Sequence, residues 1–427
     1  MTLLYMAAGL FGLVLINVPI AVALGVVSVI AMLLSSGTAT LPNMAMVLYD
    51  GATSFPLLAI PLFIFAGAIM NSAGISRRLI AFASALVGFV RGGLAMVNVA
   101  TSLFFAEISG SAVADVAAIG SILIPAMKKR GYPATFAAAI TSSAATLAVI
   151  IPPSIPMILY AVMSGSSVVQ LFVAGIVPGL LGAAGLMGLA YGFAVRRNYP
   201  VEEMFRVSRV KETFREAVWA FSMPIIILGG IFGGWFTATE GAALAVVAAL
   251  FLGTVVYREL DLPHLYDAIL EGGIQTAVVM LLVATSALMG TYLTEQQVPQ
   301  QLAQAVADFT NNKYVVLALL NVIFLLAGLF LHSAAAIILI VPIVMPLVNL
   351  VGIDPVHFGI IVTLNLGIGQ QTPPVASVLV TACSIAKADI WAVSKVNVYF
   401  IGVLMAVLLL STYVPIVPMG LVELFYR

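Results

Sequence analysis

Ile150-Ile151-Pro152-Pro153-Ser154 and Gln370-Gln371-Thr372-Pro373-Pro374 contain the only two Pro-Pro pairs in the chain, each inside a long apolar run that otherwise reads as a membrane helix. Proline has no N–H and its ring collides with the preceding turn, so a pair interrupts the helix. The carbonyls of Ala148 and Val149, and of Gly369 and Gln370, are expected to lose their helical donors. Inside a bilayer such carbonyls persist only where protein, water or a ligand satisfies them. Two broken helices at corresponding points of two halves point to the binding centre of a transporter.

Composition agrees with a membrane setting. Of 427 residues, 63% are hydrophobic and only 8% charged, against roughly 25% charged in a soluble domain. The chain therefore reads as an all-α polytopic protein whose surroundings are the lipid bilayer. Zero net charge argues against nucleic acid as a partner. The lone Cys383 excludes an internal disulfide and a cysteine-based metal cluster. His264, His332 and His357 lie in separate segments without ligand spacing. No Walker A or H-E-x-x-H motif occurs, and no nucleophile–base constellation marks an enzyme. The apolar start lacks preceding basic residues, so a cleaved signal peptide is not expected.

Read in order, spans are expected near 3–16, 19–34 and 55–70, with a polar region at 35–54 and a short amphipathic piece at 79–90. The apolar stretch at about 92–127 is bounded by Arg91 and by Lys128-Lys129-Arg130, with Ser109-Gly110-Ser111 near its midpoint. It is short for two crossings of ~20 residues each plus a turn. It reads as a re-entrant helical hairpin with a polar tip; two short full spans would give the same sidedness. A broken helix follows at about 133–163, then a span at 168–195. The charged segment 198–216 reads as a cytoplasmic amphipathic connector. The plan then repeats over 217–427, with spans near 223–236, 241–257 and 275–292 and a polar surface helix at 296–308. A hairpin at about 314–350 with its midpoint at His332-Ser333, a broken helix at 355–386 and a last span at 390–413 complete it.

One offset, 373 − 152 = 221 residues, aligns residues 1–197 with the second half. It pairs Gly51 with Gly272, Pro125 with Pro346, Gly131 with Gly352, and acidic Asp50 with Glu271. Matches of Pro and Gly carry more weight than matches of Ala or Leu, because they fix backbone geometry. Each half contributes five crossings, an odd number, so the halves are expected to be inverted. With both termini on the periplasmic side, all but Lys313 and Arg427 of the 17 basic residues fall inside, as the positive-inside rule requires. Inverted repeats with opposed hairpins imply alternating access.

These residues resemble the large membrane subunit of TRAP (tripartite ATP-independent periplasmic) transporters, the DctM-like group, over essentially the whole chain. The resemblance rests on Asn17-Val18-Pro19-Ile20-Ala21, Leu58-Ala59-Ile60-Pro61-Leu62-Phe63, Arg91-Gly92-Gly93-Leu94-Ala95, Ser109-Gly110-Ser111, Ile151-Pro152-Pro153-Ser154, Ala238-Thr239-Glu240-Gly241-Ala242-Ala243 and Thr372-Pro373-Pro374-Val375. Where many dicarboxylate-type members are similar to Gly-Asn-Phe-Met-Glu-Pro, this chain has Gly328-Leu329-Phe330-Leu331-His332-Ser333. Its Gly369-Gln370-Gln371-Thr372-Pro373-Pro374 is more similar to the sialic-acid members. The resemblance implies a Na⁺-driven importer of a small organic acid anion in a bacterial inner membrane, sialic acid or another sugar acid ahead of a C4-dicarboxylate. It also implies a small four-helix (Q-type) membrane subunit and a periplasmic (P-type) substrate-binding protein as partners. The fold it implies is elevator-type, similar to the ion transporter superfamily. Hairpins and broken helices would move, and the first, second and last spans of each half would form mainly scaffold. A one-component Na⁺/carboxylate symporter and a passive channel remain alternatives.

Na⁺ prefers oxygen ligands, and helix breaks and hairpin tips supply them without charge. A first Na⁺ site is expected from Ser109, Gly110 and Ser111 with Ile150, Pro152 and Ser154. A second is expected from His332 and Ser333 with Gly369, Gln370 and Thr372. The cargo would lie between them, touching Ser111, Ser154, Gln370, Gln371, Thr372 and Pro373. The other reading of these small residues is close helix packing alone. Ionisable Glu107 and Asp115 fall on the first hairpin and Glu240 at the start of a span. Each is a functional candidate by depth. Asp115 could equally brace the hairpin, and Glu240 could favour a helix N-terminus capped by Thr239.

Overall fold

Apolar runs bounded by Gly, Pro and capping residues become helices throughout the computed structural model. It describes Met6, residues 8–10, 12–13 and 16, and residues 18–202, 204–310 and 312–426, without the side chains of 107–109. Half of the first expected span, 3–16, lies outside the described residues.

The first half runs α1 (Ile20–Ser36), α2 (Leu41–Thr53), α3 (Ala59–Ser72) and α4 (Ile75–Val87). A hairpin follows, of α5 (Gly93–Ser109), α6 (Ala112–Asp115), a π-turn over Val116–Gly120 and α7 (Ser121–Lys129). Then come α8 (Ala134–Ala145), α9 (Leu147–Ile150), α10 (Ile155–Ser164) and α11 (Val168–Arg196). The second half runs α12 (Val207–Phe232), α13 (Ala238–Phe251), α14 (Leu262–Glu295) and α15 (Val298–Phe309). Its hairpin is α16 (Lys313–Phe330) and α17 (Ser333–Leu350), and its broken helix α18 (Pro355–Gly369) and α19 (Ser377–Ala386). The chain closes with α20 (Ile390–Tyr413) and α21 (Ile416–Tyr426). Among the described residues eight helices are long and apolar enough to cross a membrane, or nine when the bent pair 134–164 counts as one. The protein is an all-α, multi-pass membrane protein.

Three expectations need correction. The region 35–54 is not merely polar loop. Pro42 opens α2, and Met44, Val47, Leu48, Gly51 and Ala52 form its less exposed stripe at helical spacing, turned towards α14. The connector 198–216 is not a separate surface helix. No breaker separates Glu216 from Met223, so residues 207–216 are the first turns of the 26-residue α12. Residues 198–202 instead run along the base of the first hairpin, where Gly92 N–H donates to the Pro200 carbonyl at 3.2 Å and Arg130 pairs with Glu202 at 3.0 Å. The expected span 275–292 is the C-terminal part of the 34-residue α14, a rod of ~51 Å at 1.5 Å per residue.

The helices sort into two bodies. Around α14 pack α1, α2 and α3, with α13 against α3. The other body holds the hairpins and broken helices, and its contacts repeat between halves. The first arm of each hairpin packs on its own broken helix, α5 on α8 and α16 on α18. Buried amides tie both contacts: Asn98 Nδ2 donates to Thr141 Oγ1 at 2.7 Å, and Asn365 Nδ2 to Asn321 Oδ1 at 2.6 Å. The second part of each broken helix leans on the opposite hairpin, α10 on α17 and α19 on α6–α7. The last spans α11 and α20 pack on each other and on the broken helices. They therefore sit with the second body, not with the expected scaffold. Glycines make this possible: a Cβ at Gly175 on α11 would lie 2.2 Å from the Ile150 carbonyl oxygen.

Candidate functional site

Each Pro-Pro pair opens its helix as the missing donors require. The first helix bends by 40° between Ala134–Ile150 and Ile155–Ser164. The freed carbonyls are less open than expected. Ser154 Oγ donates to the Val149 carbonyl at 2.7 Å and accepts the Met157 N–H at 3.4 Å as the cap of α10. In the second break Thr372 N–H reaches the Gly369 carbonyl at 2.9 Å and Val378 N–H the Gln370 carbonyl at 3.2 Å. Each carbonyl oxygen has two lone pairs, so one remains on each for a further partner.

The hairpin tips meet these breaks. Gly110 turns the first tip at φ +58°, and a Cβ there would lie 3.0 Å from the Pro153 carbonyl oxygen and 3.2 Å from Ile155 N. Near the second tip, a Cβ on Gly369 would fall 2.5 Å from the Gly328 Cα. The tip residues Ser111 and His332 cap the helices that follow: Ser111 Oγ accepts the Ala114 N–H at 3.5 Å, and His332 Nδ1 the Ala334 N–H at 3.4 Å.

Between the two bodies lies a cavity of ≈ 660 Å³. The tips contribute Gly110, Ser111, His332 and Ser333, and the breaks Val149, Ile155 and Gln370. Pro19, Ile64 and the α14 face from Glu271 to Leu282 form the facing wall. A second cavity of ≈ 320 Å³ shares Ile64, Ala114, Ala117, Glu271 and Gln275 with it and leads past Asn71 and Ser121 to Arg77. The path thus runs from the tips towards one end of the molecule.

Several expected residues stand elsewhere. Gln371 is fully buried and turned away from the cavity. Its Oε1 accepts from Ser143 Oγ at 2.6 Å, its Nε2 donates to Thr146 Oγ1, and Asn397 Nδ2 donates to its carbonyl at 3.3 Å. It joins α8, the second break and α20 as a buried brace off the cavity wall. Thr372 Oγ1 donates to the Ile368 carbonyl at 3.0 Å, and neither Thr372 nor Pro373 lines the cavity. Ser154 is fully buried and also off the cavity wall. Pro152 contributes to the break but not to the wall, and the Ile150 carbonyl faces Gly175. Asp115 is fully buried on α6. Glu240 is exposed in a capping box with Thr237, not Thr239, as the N-cap, and Thr239 Oγ1 donates to the Phe55 carbonyl at 3.1 Å. The side chains of Glu107 and Ser109 lie outside the described residues. Two features were missed in the sequence. One is the Pro153 carbonyl, the break atom nearest the first tip. The other is the pair Glu271–Gln275, joined at 3.3 Å, whose signal was polar residues inside an apolar run.

A polytopic helical protein with a central cavity between two loop tips and two broken helices has the architecture of a membrane carrier. The chain belongs to the DctM family: residues 7–417 match the profile described as "Tripartite ATP-independent periplasmic transporter, DctM component". That places it among transporter components and not among enzymes. It is 42% identical over 413 residues to the isethionate TRAP transporter permease protein DctMQ of Oleidesulfovibrio alaskensis, covering 96% of this chain and 65% of that protein. The chain thus spans about two thirds of that relative's length. It is 39% identical to the C4-dicarboxylate TRAP transporter large permease protein DctM of Pseudomonas aeruginosa (89% of each chain). It is 36% identical to the sialic acid TRAP transporter large permease protein SiaM of Vibrio cholerae (98% and 97%). The fold is shared with the YdaH transporter of Alcanivorax borkumensis, at TM-score 0.66 and 13% identity over 88% of each chain.

Proposed function

We infer that this chain is the large subunit of a Na⁺-coupled secondary importer of a small organic acid anion, working by an elevator movement of the hairpin body against the wall formed by α14. The observation that carries the reading is the cavity lined by both tips, both breaks and that wall. A cargo held there touches both bodies, so moving one body past the other changes which side it faces. The small membrane subunit and a periplasmic binding protein complete the machine in this reading. The membrane is the bacterial inner membrane, with both termini periplasmic. The basic end, which carries Arg77, then faces the cytoplasm, and the path towards it makes this an inward-open conformation.

Na⁺ travels as cargo. At the first tip its ligands are neutral oxygens: Ser111 Oγ, the Ser109 and Gly110 backbone, and the Pro153 carbonyl. At the second break they are the remaining lone pairs of Gly369 and Gln370. Named relatives with different acids at similar identity leave the anion open among isethionate, C4-dicarboxylates and sugar acids such as sialic acid.

The test is uptake into proteoliposomes containing this chain, its small subunit and the binding protein. Uptake should require an inward Na⁺ gradient and the binding protein. Ser111→Ala, which removes the one side-chain ligand of the first site, should raise the Na⁺ concentration for half-maximal uptake several-fold. Uptake by this chain alone would make it a one-component symporter. Downhill flux with neither Na⁺ nor partner would make it a channel. Unchanged Na⁺ activation in Ser111→Ala would remove the first cation site.

A further inference from the structure

The 221-residue offset that superposes the Pro-Pro pairs also places His332 on Ser111. Both residues cap the helix that leaves a hairpin tip, and both line the cavity. Their chemistry is opposite. A serine oxygen has lone pairs for a cation. In His332 the lone pair of Nδ1 is taken by the Ala334 N–H, so the neutral ring carries its proton on Nε2 and presents an N–H. The ring is exposed to the cavity. An N–H suits an anion, whereas the sodium role expected of the His332 side chain needs a lone pair.

Two neighbours point the same way. Ser333 is 2% exposed, lines the cavity, and its hydroxyl has no hydrogen-bond partner among the described residues. It opens α17, an 18-residue helix whose first-turn N–H groups carry the positive end of the helix dipole. Gln370 is also 2% exposed and lines the cavity, with its Nε2 only 3.4 Å from the Leu366 carbonyl. Apart from His332, Glu271 on the α14 side is the single ionisable residue of the cavity wall among the described residues. An anion is repelled from that wall and drawn to the second tip.

We propose that the second hairpin tip is an oxyanion subsite: His332 Nε2–H, the Ser333 hydroxyl and the start of α17 hold the carboxylate or sulfonate of the cargo. The two tips then divide the work, the first taking the cation and the second the anion. The hairpin body carries the charged end of the cargo with it, and the rest of the molecule faces α14. The inference rests on the carrier reading above.

The experiment uses the full chain in nanodiscs, with isethionate, succinate and N-acetylneuraminate as probes and binding followed by calorimetry at saturating Na⁺. His332→Ser keeps a good helix cap and removes the N–H, reproducing the chemistry of Ser111. It should weaken the bound anion by about tenfold or more, as loss of a hydrogen bond to a charged group implies, with the Na⁺ half-saturation unchanged. Ser333→Ala should weaken it in the same direction. His332→Gln, which restores an N–H at similar reach, should recover most of the affinity. If wild type binds one of the probes and His332→Ser binds it equally well, the subsite is wrong while the carrier reading stands. If His332→Ser shifts Na⁺ half-saturation instead, the tip is a cation site. If wild type binds none of the three anions, the carrier reading of this cavity fails, and the subsite with it. Sulfonate and carboxylate cargo are separated by which probe wild type binds.

Discussion

Gly369→Ala puts one methyl group where the second hairpin and the second break touch main chain to main chain. An ideal Cβ on Gly369 would stand 2.5 Å from Gly328 Cα, 2.6 Å from its carbonyl carbon and 3.0 Å from its oxygen. Carbon atoms rest at ~3.5 Å or more, so the two helices must separate by ~1 Å. A flexible side chain could rotate away, but backbone cannot. The cost therefore belongs at the upper end of the overpacking range, about 3 kcal/mol, or roughly 150-fold in an equilibrium. Gly402→Ala is the control. It sits inside the helix 390–413 with nothing within 4 Å of the added carbon, and gains up to about 1 kcal/mol from helix propensity. Thermal melting in nanodiscs should move down for Gly369→Ala and stay level or rise for Gly402→Ala. Uptake should fall only in the first, because parting the helices shifts the second break, with Gln370 on the cavity wall, away from the second hairpin. Equal melting shifts in the two variants would refute the close approach.

Gln371→Ala should lower the melting temperature by removing the side-chain amide that bonds Ser143 and Thr146, at about 1–3 kcal/mol for a buried polar group. The KM for the anion should change little, because Gln371 does not line the cavity; a KM effect with unchanged stability would reverse that assignment. Glu259 clips α4 to the segment after α13 through Arg77 at 2.7 Å and Arg78 at 2.6 Å. Partial burial pushes its carboxyl up, but the hydrogen bonds and charges of Arg78 and Arg77 outweigh this and hold it below the usual range. A depressed acid stabilises fully above its unfolded-state pKa of about 4.3 and loses that stabilisation as pH falls through the folded value. The melting difference between wild type and Glu259→Gln should therefore be present at neutral pH and shrink in acid. A difference that is constant down to about pH 3.5, well below the unfolded value, would show that charge is not what holds the clip. Gly110→Ala should also destabilise, since the tip needs positive φ and lies close to the Pro153 carbonyl, a conformation costing non-glycine residues ~1–2 kcal/mol.

Particular residues show why some of this was legible without coordinates. Pro152-Pro153 and Pro373-Pro374 break helices through covalent chemistry that no tertiary setting undoes. Ser109-Gly110-Ser111 marked a tip, because a polar, glycine-centred step has few alternatives in an apolar run. Helix continuity was harder to read. The start of α12 is charged and looked like a surface element, yet nothing in it stops a helix from running into the apolar span. Side-chain direction was harder still. Gln370 and Gln371 are identical residues one position apart, and a helix end rotates them by about 100° from each other. One meets the cavity and the other a buried brace of Ser143, Thr146 and Asn397.

By itself the sequence determined where the chain must leave the helix and that its environment is apolar, because proline, glycine and charge act through bonds and solvation local to each residue. Packing decided the rest. It sorted the last spans with the broken helices, turned Ser154 inwards onto the Val149 carbonyl, and aimed the His332 ring at the cavity with its acceptor nitrogen already used. Those outcomes depend on which helices come into contact across hundreds of residues, a relation that adjacent residue types do not encode.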